Sequence, residues 1–173
     1  MTVVDARLGL VEKVRTLVND QDMFLVEDVL SFLEQNKEYV EGHRLTPYQR
    51  VQPHGTIYNI YTSKPYSQWG SFEIVDSEGN DVPTTSYDAY NGVFFVNNVP
   101  PPLYISGDVY DVYSTAADIL TVMAMRLPVK FDVQADGADF SFGQQLQNLL
   151  TLAQSYRAMA KIKGVDIDGL PDR

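Results

Sequence analysis

Cysteine is absent from the sequence, and basic residues are scarce. Without cysteine the chain can form neither a disulfide nor a thiolate metal site, and it has no cysteine nucleophile. Its 13 Lys and Arg stand against 23 Asp and Glu, so the net charge is −10 at pH 7. Because affinity for nucleic acids comes from clustered cations that meet phosphates, this balance predicts that the chain does not bind DNA or RNA tightly.

Long hydrophobic runs are absent too. No apolar run approaches the ~18 residues that a transmembrane helix needs, which predicts a protein without a membrane span. Charged side chains interrupt the first fourteen residues, so we expect no secretory signal peptide and a protein made in the cytoplasm. Of the 173 residues, 45% are hydrophobic and 21% are charged, which is the composition of a globular protein. The length suits one domain over residues 1–173.

The common signatures of catalytic and cofactor sites are missing as well. The sequence contains no glycine-rich phosphate loop, no nucleophile elbow and no zincin helix. The two histidines, His43 and His54, have no third metal ligand at a recognisable spacing. Asp132, Asp136 and Asp139 lack the alternating spacing of a calcium loop and are more typical of a turn. We therefore predict no catalytic residue, no metal, no cofactor and no enzymatic activity.

Hydrophobic residues recur every three or four positions toward both ends of the chain. This pattern predicts two helices within about residues 3–37, joined by a short polar turn. It predicts a third helix over 108–127, a linker over 131–140, and a fourth helix over 141–163. Two amphipathic hairpins bury their apolar faces most simply against each other, which favours a four-helix bundle.

The middle of the chain, about residues 44–106, is rich in proline and β-favouring residues. Proline excludes long helices there, so we expect short strands joined by tight turns. The strands are predicted at Thr56–Thr62, Phe72–Val75 and Val93–Val96, with turns at Ser77–Asn80 and Asn91–Gly92. The predicted fold class is therefore α+β, a bundle of N- and C-terminal helical hairpins with an all-β insertion and a polar tail over 164–173.

Charge and aromatic residues are unevenly distributed. Between Val51 and Met125 the chain has eight acidic residues and one base, Lys64. This excess either solvates the surface or complements a basic partner. Eight of the eleven tyrosines lie between Tyr58 and Tyr113, in the same stretch as Trp69, and either fill the β core or form an interface.

Three segments of the C-terminal half resemble a known family. They are Tyr-Ile-Ser-Gly-Asp-Val-Tyr-Asp-Val-Tyr-Ser-Thr-Ala-Ala-Asp-Ile-Leu at 104–120, Phe-Asp-Val-Gln-Ala-Asp-Gly-Ala-Asp-Phe-Ser at 131–141, and Leu-Ala-Gln-Ser-Tyr-Arg-Ala-Met-Ala at 152–160. In this order they are similar to the helical hairpin of head-tail connector (adaptor) proteins of tailed bacteriophages and prophages. The predicted pair of N-terminal helices agrees with that family.

The resemblance implies a structural protein of the virion neck. Proteins of this family form a ring, commonly of twelve copies, beneath the portal protein. The ring extends the DNA channel, through which double-stranded DNA passes without specific binding, and offers a docking face to a head-closure (stopper) or tail protein. Under this hypothesis the acidic surface keeps the channel from adhering to DNA.

Candidate partner-binding residues come from three parts of the chain. The insertion contributes aromatic side chains that could form an interface. The end of the last helix contributes cations that could meet an acidic neighbouring subunit, and we expect the tail to dock on the portal. They are Trp69, Tyr87 and Tyr90 in the insertion, Arg157, Lys161 and Lys163 on the helix, and Asp166, Asp168, Asp172 and Arg173 in the tail. The alternative function is a ligand-binding accessory module, with Trp69 and Tyr66 stacking on a glycan or peptide.

Overall fold

A computed structural model describes residues 3–19, 24–52, 55–64, 67–126, 133–135, 138–140 and 142–163. These residues form helices α1 (Arg7–Val18), α2 (Val26–Gln35), α3 (Val112–Arg126) and α4 (Phe142–Lys163). The strands are β1 (Val4–Asp5), β2 (Lys37–Arg44), β3 (Thr46–Gln52), β4 (Gly55–Thr62), β5 (Trp69–Asp76), β6 (Thr84–Asp88), β7 (Val93–Val96), β8 (Leu103–Tyr110), β9 (Val133–Ala135) and β10 (Ala138–Phe140).

Most strands belong to two antiparallel sheets of four. Sheet A has the order β1-β5-β8-β2, and sheet B has the order β3-β4-β7-β6. The strands β9 and β10 form a separate two-stranded hairpin. In β8, Gly107 has a φ of 154°, and a Cβ there would overlap the backbone of Ser71 and Phe72 on the neighbouring strand β5. Only glycine allows the strands of sheet A to approach this closely.

Two clusters of buried residues hold the fold together. The first cluster lies between the sheets and contains Tyr61, Trp69, Phe72 and Phe94. Three ring pairs pack edge to face: Trp69 with Phe94, Phe72 with Phe94, and Phe72 with Tyr87. The second cluster lies among the helices, and Ala153 of α4 joins it alongside residues of α1, α2 and α3. The molecule therefore joins a β-sandwich to a layer of helices.

Gln68 links the sandwich to the helices. It is 2% exposed and has a φ of 65°, in the left-handed region. Its side-chain Oε1 accepts a hydrogen bond from the backbone N–H of Val112 at 3.0 Å, at the start of α3. Its backbone N–H donates to Tyr90 O at 3.2 Å, and its own carbonyl accepts from Tyr110 N–H at 3.0 Å. One residue thus fixes α3 against both β8 and the β6–β7 turn.

The predicted four-helix bundle with a β insertion is wrong. The structure is α+β, with four helices interspersed among strands that form two antiparallel sheets. Strand pairing begins before the expected insertion, since β1 precedes α1 and β2 begins at Lys37, directly after α2. The strands build a large core of their own, and α4 contacts the helices chiefly through α3. The helices consequently form a layer beside a separate strand core, and the strands are not an insertion into a helical bundle.

Local predictions are confirmed for several strands and corrected at one helix start. The predicted strands Thr56–Thr62, Phe72–Val75 and Val93–Val96 lie within β4, β5 and β7, and turns occur at both predicted places. The third helix begins at Val112, not at Asp108, because Asp108 pairs with Tyr39 of β2 and Ser71 of β5. The predicted linker over 131–140 contains β9 and β10.

Candidate functional site

Trp69 lies at the centre of the sandwich and has no exposed surface. Its indole N–H donates to Ser63 Oγ at 2.9 Å, and its ring lies edge-on to Phe94 with centroids 6.5 Å apart. A buried indole with a satisfied N–H is typical of core packing. In this structure Trp69 offers no face on which a ligand could stack, and Tyr66 lies outside the described residues.

Tyr87 and Tyr90 come together at an open cleft between α1 and the end of β6. The cleft has a volume of about 410 Å³ and its lining includes Leu8, Lys13 and Asp88. Lys13 Nζ lies 5.0 Å from the centroid of the Tyr90 ring, within range of a cation–π interaction. Burial and a hydrogen bond with Tyr113 raise the pKa of Tyr90 to about 12, so its hydroxyl is neutral at physiological pH.

Arg157 is the candidate cation of α4 whose side chain the structure describes. Its guanidinium donates to Asp118 Oδ1 at 3.2 Å and to Thr121 Oγ1 at 3.3 Å, both on α3. The side chain is about half exposed, so the ion pair contributes little net stability. Arg157 therefore fixes α4 beside α3 while part of its charge remains at the surface.

The structure does not describe the side chains of the remaining candidates. Lys161 and Lys163 belong to the last turn of α4, where the structure describes only the backbone. The tail candidates Asp166, Asp168, Asp172 and Arg173 lie outside the described residues, as do His54, Asp132 and Asp136. The hypothesis that the tail docks on a portal ring stays a prediction.

A network of charged side chains joins the helices to sheet A. Arg7 binds Asp5 through two hydrogen bonds of 3.0 and 2.8 Å, and it lies 3.6 Å from Glu34. Glu34 also meets Lys37 at 2.7 Å and accepts a 2.9 Å hydrogen bond from Tyr110. Hydrogen bonds from Lys37 and Tyr110 lower the pKa of Glu34. Every member of this network has a partner within it, which is typical of a structural role.

One side of sheet B faces away from the sandwich core. Tyr61 of β4 and Phe94 of β7 are fully buried on the inner side. Their chain neighbours Ile60 and Phe95 pair with each other and therefore lie on the opposite side. Tyr48 of β3 pairs with Ile60 and extends the same row, and its side chain is 69% exposed.

We call this side the outer face of sheet B and define it by five residues: Tyr48, Ile60, Ser86, Val93 and Phe95. Ile60, Val93 and Phe95 are partly exposed and belong to neither cluster of buried residues. A sheet face in contact with water normally carries polar side chains that alternate with the buried ones. The outer face of sheet B is mixed: Tyr48, Ile60 and Phe95 form an apolar row across three strands, whereas Thr62 and Asp88 lie on either side of Val93.

A second incompletely covered apolar surface lies on α4. Ala153 is 1% exposed and lies on the line along which α4 contacts the other helices. Tyr156 lies on the same line, and its hydroxyl donates to Leu17 O of α1 at 2.9 Å. The aliphatic side chains beside this line remain between 39% and 47% exposed; they are Leu146, Leu150, Leu152 and Met159. We call these four residues the flanks of α4.

Comparison with known sites and known proteins adds no assignment. Among the residues that the structure describes, no group of three or more His, Asp or Glu could hold a metal ion. No described helix is long and apolar enough to cross a membrane. No family model, curated protein or solved structure matches the chain.

The outer face of sheet B cannot be assigned from the sequence alone. Its signal is present in β7, where Val93, Phe94, Phe95 and Val96 are apolar at consecutive positions. The segment Ile57-Tyr-Asn-Ile-Tyr61 of β4 is likewise apolar on both sides. A strand with apolar residues on both sides indicates that both sides are covered. The pattern identifies the strands but does not show which side belongs to the core.

Proposed function

We propose that this protein is a structural component of the neck of a tailed-phage virion. In this proposal identical copies assemble into a ring, commonly of twelve, that joins the portal protein to the next neck or tail protein. The ring extends the DNA channel and carries out no covalent chemistry. The observation that carries the proposal is α4, a 22-residue helix with exposed aliphatic residues on both sides of its single line of contact.

Two of the segments that resemble head-tail connector proteins, 104–120 and 152–160, meet in the fold. The Ser106-Gly107 pair lies in β8, and Asp111 begins α3 by accepting hydrogen bonds from the backbone N–H groups of Tyr113 and Ser114. The rings of Tyr113, in the first turn of α3, and Tyr156 of α4 lie 6.0 Å apart, so the two helices pack against each other there. This packing supports the proposal.

Exposed aliphatic residues on a helix favour assembly over a free monomer. Soluble monomers seldom expose contiguous apolar surface unless it serves an interaction. The small residues Ala116 and Ala117 of α3 lie in the helical cluster, and Ala124 of the same helix is buried as well. Helix α3 is therefore an inner helix, and α4 is the outer one. A helix in this position is available to a neighbouring subunit.

The alternative function, binding of a glycan or peptide, would use the cleft of Tyr87 and Tyr90. This cleft is the one observation in its favour, because Trp69 is buried. The two tyrosines could stack on a sugar or a proline ring. Saturable binding of an oligosaccharide by a stable monomer, lost in Tyr87→Ala, would support the alternative over the ring.

Electron microscopy of the protein mixed with portal complexes tests the proposal. The portal from the same genome should carry an additional ring of density at its lower end when the protein is present. A portal without the protein provides the control. Portal particles that stay unchanged at saturating protein concentration would contradict the proposed function.

A further inference from the structure

The outer face of sheet B and the flanks of α4 cannot cover each other within one copy. Ala153 and Tyr156 hold α4 against the helical cluster. The outer face of sheet B points away from the sandwich core and contributes to neither cluster. Among the described residues neither surface is covered. Leu146 and Leu150 lie on one side of the contact line of α4 and Leu152 and Met159 on the other, so sheet B of a second copy can cover one of the two flanks.

The charges of the two regions are complementary. The α4 segment, 142–163, contains no acidic residue and carries Arg157, Lys161 and Lys163. Residues 73–125 contain eight acidic residues and no base. One of these acids, Asp88, ends β6, the edge strand of sheet B. A cationic helix that lies on sheet B thus meets a carboxylate at its edge.

The dimensions of the two surfaces also match. A helix of 22 residues is about 33 Å long at 1.5 Å per residue. Four strands spaced about 4.8 Å apart give a sheet about 14 Å wide between its outer strand axes. The helix can therefore cross all four strands of sheet B and still extend beyond β6. Helix-on-sheet packing is also one of the stable ways to bury an apolar sheet face.

We propose that the outer face of sheet B binds α4 of a second copy of this chain. This inference deepens the proposed function and rests on it for the assembly of identical subunits. Because two different surfaces meet, the contact is head-to-tail, and each copy can bind one neighbour on each side. Such a contact closes into a ring when the rotation between copies divides a full turn evenly.

Cysteine trapping tests this contact, since the natural chain has no cysteine. The double variant Ser86→Cys with Leu150→Cys places one thiol on the outer face of sheet B and one on a flank of α4. Mild oxidation at the highest soluble concentration should give a ladder of covalent oligomers on a non-reducing gel. Each single variant should give no oligomer larger than a dimer.

A mismatched pair provides the control. Glu38→Cys with Leu150→Cys moves the first thiol to an exposed position on β2, in sheet A. We expect no ladder from this pair. An equal ladder from both pairs, or no ladder from Ser86 and Leu150, would overturn the proposed contact.

Substitution of two exposed tyrosines gives an independent measurement. Tyr48 on the outer face of sheet B and Tyr39 on β2 are 69% and 61% exposed, so neither substitution empties a core position. We expect Tyr48→Ser to weaken self-association about tenfold in sedimentation equilibrium, as loss of an interface aromatic does. Tyr39→Ser should leave self-association unchanged. Equal effects of the two variants would contradict the proposal.

The outcomes distinguish this inference from the proposed function. A ring on the portal without the specific disulfide ladder would keep the neck function and reject the contact between α4 and sheet B. A specific ladder without any ring on the portal would keep the contact and reject the neck function. Absence of both would reject both.

Discussion

Two glycines show how strongly the effect of one methyl group depends on its surroundings. Gly107 lies in the middle of β8, where a Cβ would overlap the backbone of Ser71 and Phe72. Gly9 lies in the first turn of α1, and a Cβ there meets no atom within 4 Å. The same substitution therefore adds a clash at one position and removes only backbone freedom at the other.

We expect Gly107→Ala to destabilise the protein and Gly9→Ala to stabilise it. Overpacking against a backbone costs about 1–3 kcal/mol, and the backbone strain of Ala at Gly107 adds to it. In a helix, Ala is favoured over Gly by up to about 0.5–1 kcal/mol. Urea denaturation of the two variants measures both changes. A Gly107→Ala variant as stable as the wild type would show that the strands of sheet A are not packed as described.

Tyr61 makes the stability of the protein sensitive to alkaline pH. Burial raises its pKa from 10.0 to about 12, with a smaller contribution from Tyr58. The unfolded chain therefore loses this proton at lower pH than the folded chain. The contribution of Tyr61 is complete below about pH 10 and falls as the pH rises toward 12.

Thermal unfolding should show this loss as a fall in Tm between pH 10 and pH 12. The variant Tyr61→Phe should be less stable at neutral pH, because it loses the hydrogen bond from the hydroxyl to Val99 O. Its Tm should nevertheless fall less steeply over the alkaline range. Parallel curves for the two proteins would exclude Tyr61 as a source of the pH dependence.

At the scale of whole elements, the strands were more predictable than their arrangement. Turn residues and β-branched residues predicted β4, β5 and β7, because these signals act within a few neighbouring residues. The three- and four-residue periodicity predicted the helices for the same reason. Pairing of β1 with β5 and of β2 with β8 joins distant parts of the chain, and no local pattern specifies it.

The same reasoning applies to the candidate site. Trp69 is an aromatic residue in a proline-rich strand region, a pattern that predicts an interface as readily as a core position, and the fold encloses it completely. Tyr87 and Tyr90 share a cleft, which their spacing in sequence did not require. The outer face of sheet B became apparent only when strand register showed which side of β4 and β7 meets the core.

The exposure of α4 leads to a prediction about local stability. It contacts the molecule along one line, whereas β8 pairs with strands on both sides and α3 is buried along much of its length. Elements with few buried contacts open at lower free energy. Hydrogen exchange of the free protein should therefore be faster in α4 than in α3 or β8. Equal protection in all three would contradict this prediction and the proposal that α4 awaits a partner.

At the scale of the whole molecule, negative charge dominates. The net charge of −10 comes with eight acidic residues and no base in residues 73–125. In the proposed ring of about twelve copies, the number that the family resemblance implies, the excess negative charge of each copy would give the whole ring a potential that repels phosphate. This repulsion suits a channel through which duplex DNA slides, provided that part of the acidic surface faces the channel.

We predict that the isolated protein does not bind duplex DNA at physiological salt. Fluorescence anisotropy with a labelled duplex should show no saturable change across the soluble concentration range. Lowering the salt concentration should not produce tight binding, because the net charge of −10 opposes the approach of phosphates to the few cations of α4. Tight, salt-sensitive binding would indicate that the cations of α4 contact DNA and would exclude a non-adhesive channel wall.

The direct run from β8 into α3 has a mechanical consequence. Strand β8 is hydrogen-bonded on one side to β5 and on the other to β2, and Asp111 follows it immediately to start the helix. A force on α3 along the strand direction would load both rows of hydrogen bonds in shear, so that many must break together. In the proposed neck ring, pressure on the helical layer would be carried into both halves of sheet A without peeling one strand away.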